Sequence, residues 1–143
     1  MRIRMIGALV TLVVLAGLCA GCGGQASYAN ADRPPAPISV SIAVTGERIA
    51  IAPDHVGAGP VLLLIANESG RSRDVTLRAA GSGRSCVVDD ASSGPINPQD
   101  AARISLALVQ GACEVSVADD TIPPARLIVG PERESAQQDL LQP

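Results

Sequence analysis

The residues best suited to chemistry in this 143-residue chain are four cysteines, Cys19, Cys22, Cys86 and Cys113, and a single histidine, His55. Thiolates and imidazoles bind soft metals and act as nucleophiles or bases near neutral pH. His55 stands in Pro53-Asp54-His55-Val56-Gly57, a turn-rich stretch with no nucleophile in its sequence context, and reads as an exposed loop residue. Two acid pairs, Asp89-Asp90 and Asp119-Asp120, fall where strands are expected to end. They could ligate a calcium ion if they converged, but no spaced acidic loop of the EF-hand kind surrounds either pair. Solvated strand ends are the simpler reading. Asn67-Glu68-Ser69 has the form of a glycosylation acceptor and also of a plain turn, and the turn is expected. These residues give no expectation of a catalytic group, a metal site or a cofactor.

The elements that must position them begin with an export signal. Met1-Arg2-Ile3-Arg4 supplies positive charge and Met5 to Leu18 an apolar run too short for an ordinary spanning helix. The run closes on Leu18-Cys19-Ala20-Gly21-Cys22-Gly23-Gly24. Ala20-Gly21-Cys22 resembles the lipobox of bacterial lipoproteins, with Cys19 standing where that motif usually has Leu. The resemblance implies that residues 1–21 are a lipoprotein signal peptide and that Cys22 becomes the lipidated first residue of the mature chain. Two competing readings are an uncleaved anchor and signal cleavage after Ala31, at Ala29-Asn30-Ala31. Two or more acyl chains at one site make a stable anchor where one chain holds only reversibly. The implied location is the extracytoplasmic face of the cell membrane, with membrane lipid as the partner of Cys22.

Residues 22–37 read as a linker, Gly- and Ser-containing at first and then Pro-rich through Asp32-Arg33-Pro34-Pro35-Ala36-Pro37. Extended, such a segment reaches roughly 50 Å. Residues 38–130 are expected to form one domain, and residues 131–143 a polar C-terminal tail in which Leu140 and Leu141 could dock. All 11 basic residues are Arg, and losing Arg2 and Arg4 leaves 9 of them against 14 acids. A mature chain about 5 units negative is a poor partner for nucleic acid. With no Phe, no Trp and one Tyr, the core must be built from Val, Ile, Leu and Ala.

From Ile38 the pattern alternates: Ile38, Val40, Ile42 and Val44 against Ser39, Ser41 and Ala43. That is the period of a half-buried strand. Ile49 and Ile51 continue on a second strand. Val61 to Ala66 is a continuous apolar run and reads as a central strand covered on both faces. Val75, Leu77 and Ala79 alternate, and Cys86-Val87-Val88 reads as a short strand. Ala91 to Asp100, with two prolines, reads as a loop. Ile104, Leu106 and Leu108, then Cys113, Val115 and Val117, make a hairpin around Gln110-Gly111, and Leu127-Ile128-Val129 is a last strand. Short strands at near-regular spacing, with no helical period between them, predict an all-β, antiparallel Greek-key sandwich.

The order of these features resembles the cupredoxin fold, with an immunoglobulin-like sandwich as its neighbour. The resemblance runs from Ile38 to Val129 and rests on the Gly59-Pro60-Val61 lead-in, the Val61 to Asn67 strand and the Leu106 to Val115 hairpin. The copper chemistry of that family does not carry over. Arg73 and Asp74 stand where its first His would fall, Val117 and Asp120 about where its Cys and second His would be, and no Met follows Met5.

On the lipoprotein reading Cys19 leaves with the signal and Cys22 takes lipid, so Cys86 and Cys113 remain as an even pair in an oxidising compartment. They are expected to form a structural disulfide, since a redox-active dithiol wants a closer spacing such as Cys-x-x-Cys. The function that follows is a tethered, non-catalytic binding or interaction module with an envelope protein as its partner. The alternative is a copper-handling protein that uses weaker ligands such as His55 and nearby acids.

Overall fold

A computed structural model describes residues 33–119 and 122–136. The chain divides into two compact units, Met1–Ala31 and Asp32–Pro143, and every described residue belongs to the second. The expectations for the signal segment, Cys22 and the Leu140-Leu141 tail lie outside the described residues.

The described residues are all-β. The strands are β1 (Ile38–Val44), β2 (Ile49–Ala52), β3 (His55–Asn67), β4 (Arg73–Ala79), β5 (Ala91–Ile96), β6 (Ala101–Leu108), β7 (Gly111–Val117) and β8 (Ala125–Glu132). Hydrogen-bonded neighbours run β2-β1-β3-β8-β7-β4-β5, and β6 pairs with the free side of β3. The expected antiparallel arrangement is corrected: the sheet is mixed. β1 lies parallel to β3, with Ile38 opposite Val61, and β3 lies parallel to β8, with His55 opposite Ile128. Alternation fixes which face of a strand is buried and carries no information about strand direction.

β3 is the hinge of the architecture because it serves two sheets in turn. Its first residues, His55 to Ala58, pair with β8, and Gly59 to Ala66 pair with β1 and β6. Between the two stretches the register slips at Gly57/Ala58, and Gly59 adopts a φ of 124°. That conformation suits a residue without Cβ. The inward side chains change parity across Gly59 and Pro60: Val56 and Ala58 before them, Val61, Leu63 and Ile65 after them. The register slip at Gly57/Ala58 is a separate irregularity, which leaves the extra residue, Pro131, on β8. The result is sandwich-like, with a single core drawn from both parts of the sheet. Val40, Ile42, Leu63 and Ile65 pack with Val75, Val115, Val117 and Leu127.

Four further expectations are revised. The hairpin expected around Gln110-Gly111 does not form, because β6 pairs with β3 while β7 pairs with β4 and β8. Cys86-Val87-Val88 is irregular chain, and the strand at this point is Ala91–Ile96, which includes Pro95. β5 is an edge strand, where a residue without an N–H leaves no ladder bond unmade. His55 opens β3 and is exposed. The Val61 to Ala66 strand is central, but its outward residues Leu62, Leu64 and Ala66 are only half-buried, because among the described residues no second layer covers that face.

Candidate functional surface

Each chemistry-bearing residue among the described ones has a definite place. Cys86 and Cys113 are joined by a disulfide with Cα atoms 5.3 Å apart. The bond ties the irregular segment after β4 to β7, and backbone bonds reinforce it: Ala112 N–H to Arg84 O at 2.9 Å and Val109 N–H to Cys86 O at 2.9 Å. His55 Nδ1 lies 3.0 Å from Asp54 Oδ1 on the exposed surface. The hydrogen bond from His55 holds the Asp54 carboxyl below its ordinary value. Asp89 and Asp90 are exposed, and among the described residues no three His, Cys, Asp or Glu side chains come together as a metal site.

Asn67 ends β3 and is 1% exposed. Its amide donates to Arg71 O and Ile96 O, both at 2.8 Å, while its Oδ1 accepts from the Ser69 amide at 3.0 Å. The Ser69 hydroxyl lies 2.6 Å from Asn67 Oδ1 and accepts from Arg73 Nε at 3.2 Å. Arg73, 3% exposed, completes the chain with two bonds to the Asp119 carboxylate, at 2.8 and 2.6 Å. This network locks the β3–β4 turn to the ends of β5 and β7. It is structural in character: its polar atoms bond one another and the carbonyls of Arg71 and Ile96. In the sequence Asn67-Glu68-Ser69 reads as a turn, and nothing there signals that Arg73 lies inside.

A second cluster centres on Arg133, just past β8. Its guanidinium donates to Gly57 O, Ala58 O, Pro60 O and Ala36 O at 2.6 to 3.3 Å. All four acceptors are backbone carbonyls. They include the register slip in β3 and the chain leading into β1, and Pro35 beside them is buried.

Among the described residues a groove of about 510 Å³ lies on the outward face of β1, β2, β3 and β6. Ser41, Ala43, Ala50, Ala52, Leu64 and Ala66 line it, with Glu68 and Arg103 also on its lining. The positions are the outward half of each alternation, where exposed strands usually carry Thr, Lys or Glu. Small apolar side chains there leave a shallow surface with one positive and one negative group. No nucleophile and base stand together among its lining residues. The signal for it was present as Ala and Ser at the outward positions of β1 and β2. Comparison with known proteins adds no relative: no family model matches the chain and no curated protein matches it.

Proposed function

We propose that this chain is a membrane-tethered lipoprotein whose sandwich-like domain works outside the membrane as a non-catalytic interaction module. The observation that carries the reading is the Ala20-Gly21-Cys22 junction at the end of an apolar run that follows two arginines. Supporting it are the acidic balance, which disfavours nucleic acid, and a groove lined by small apolar residues with no catalytic constellation in it. A disulfide linking Cys86 and Cys113 fits an oxidising compartment. The cupredoxin-like, Greek-key assignment is part of the same proposal and rests on the order of features from Ile38 to Val129.

The test is fractionation of cells that express the Cys22→Ala variant. Expected is loss of membrane attachment or accumulation of unprocessed chain. A variant as membrane-bound and as well processed as the parent sinks the anchor assignment. The non-catalytic half is tested by titrating the full chain with Cu2+. Stoichiometric tight binding that is lost in His55→Ala would replace this reading with copper handling.

A further inference from the structure

The edges of the sheet are not alike. β2 is four residues long and is followed by Pro53, while β5 contains Gly94 at a φ of 64°, Pro95 and an irregular register against β4. Such features discourage strand addition. β6 is eight residues long, regular in register along β3 and free of Pro and Gly. It also carries no Lys.

Backbone parity shows which groups β6 turns outward. At the far end of β3 the Asn67 amide bonds Asp100 O and the Asn67 carbonyl accepts from Gln99 N–H, so the odd-numbered residues of β3 face β6. Ala102, Ile104, Leu106 and Leu108, which stand opposite Ile65, Leu63, Val61 and Gly59, therefore make the ladder. Arg103, Ser105 and Ala107 present their N–H and C=O groups away from it. The two ends of this free row are closed: the Ala101 amide bonds the Asp100 side chain at 2.8 Å, and the Val109 amide bonds Cys86 O at 2.9 Å. Arg103, Ser105 and Ala107 are exposed, and among the described residues no backbone bond reaches their outward groups.

We propose that β6 is a self-pairing edge through which two copies of this chain associate, antiparallel, about a two-fold axis at Ile104. The register follows from the Cys86 segment, which occupies the position beside Val109. With the axis at Ser105, the second copy would bring Ala101, still in its strand, against that segment. With the axis at Ile104, the residue opposite Val109 is Gln99, which has already turned into its own sheet. The outward amides of Arg103, Ser105 and Ala107 then meet the carbonyls of Ser105, Arg103 and Ala101 of the other copy.

The side chains favour a second copy over an unrelated strand. Ala102 comes opposite Leu106 and Ile104 opposite Ile104, so half-buried apolar residues complete one another's cover. Arg103 faces Ser105, and no like charges stand directly opposite. An edge-on contact of this length falls short of the ~1,600 Å² of a standard stable interface. The dimer is therefore concentration-dependent rather than obligate.

The experiment is sedimentation of the purified full chain, in mild detergent, over a wide concentration range. The parent is expected to shift from one chain to two as concentration rises. Ser105→Pro removes an outward N–H that no bond among the described residues uses, and should abolish the shift while far-UV circular dichroism stays that of the parent. Ser105→Lys, which leaves the backbone intact, sets two positive groups opposite one another and should weaken association about tenfold. Adding Arg103→Glu to it should restore association by converting the same contact into an ion pair. A parent that stays a single chain throughout overturns the proposal. So does a Ser105→Lys variant that associates like the parent, or a double variant that fails to regain what the single one lost.

Discussion

Buried polar side chains in this small domain are committed to holding turns. Asn67 satisfies two carbonyls and one amide from a position 1% exposed, so Asn67→Ala leaves Ile96 O and the Ser69 amide without it in a buried site, while Arg71 O keeps the Ser69 hydroxyl. The expected loss is about 2 to 4 kcal/mol of unfolding free energy. Urea unfolding of the two proteins measures it, and a difference near zero would show that water replaces the side chain. Arg73→Met and Asp119→Asn should differ in an informative way, because the second leaves a buried guanidinium facing a neutral amide. Asp119→Asn is expected to cost more than Arg73→Met, since it takes the carboxylate from a buried guanidinium, whereas Arg73→Met leaves a partly exposed carboxylate. At the exposed pair, the His55 hydrogen bond depresses the Asp54 carboxyl. Its contribution is present above the unfolded carboxylate value and is lost as pH falls through the lower folded one. In a carboxyl-detected NMR titration His55→Ala should move Asp54 upward, and an unchanged midpoint would remove His55 as the cause.

Strand positions were largely legible at the level of elements, and strand directions were not. Alternation located β1, β4, β6 and β7 because each buries one face against an aliphatic core. It failed between residues 86 and 96, where Cys86 and Val87 are buried as an irregular segment held by the disulfide, while β5 is a polar edge. A covalent tie lets chain without ladder bonds reach the core. Opening the bridge should therefore loosen that segment first. Replacing Cys86 and Cys113 together by Ala is expected to lower stability by about 2 to 5 kcal/mol. Hydrogen exchange should rise earliest at Val109 and Ala112, whose amides bond this segment. Uniform acceleration across the domain would argue instead that the segment is no independent unit. Gly111 belongs to the same corner: a Cβ there would run into the carbonyls of Arg84 and Ser85. The candidate groove was half-legible, since Ala and Ser at outward positions are visible in the sequence but their convergence needs β1 to lie parallel to β3.

For the described domain as a whole, what matters is how the segment leading into β1 is held. Sequence reading carries a free linker through Pro37, yet Pro35 is buried and Ala36 O accepts from Arg133 at 2.9 Å. Arg133 is suited to this task because a planar guanidinium spreads its donors over several carbonyls, and a lysine ammonium does not. The same side chain also holds Gly57, Ala58 and Pro60, so the point where β3 changes sheets and the point where the chain enters β1 are fastened together. Arg133→Ala should free the entering segment while leaving the core intact, and Arg133→Lys should behave more like Ala than like Arg. Backbone 15N relaxation at Ala36 reads this directly: the order parameter is expected to fall from roughly 0.85 toward below about 0.6 in both variants, with Val115 and Leu127 unchanged. If Ala36 stays as rigid in Arg133→Ala as in the parent, Pro35 burial alone secures the segment and Arg133 serves only the register slip in β3.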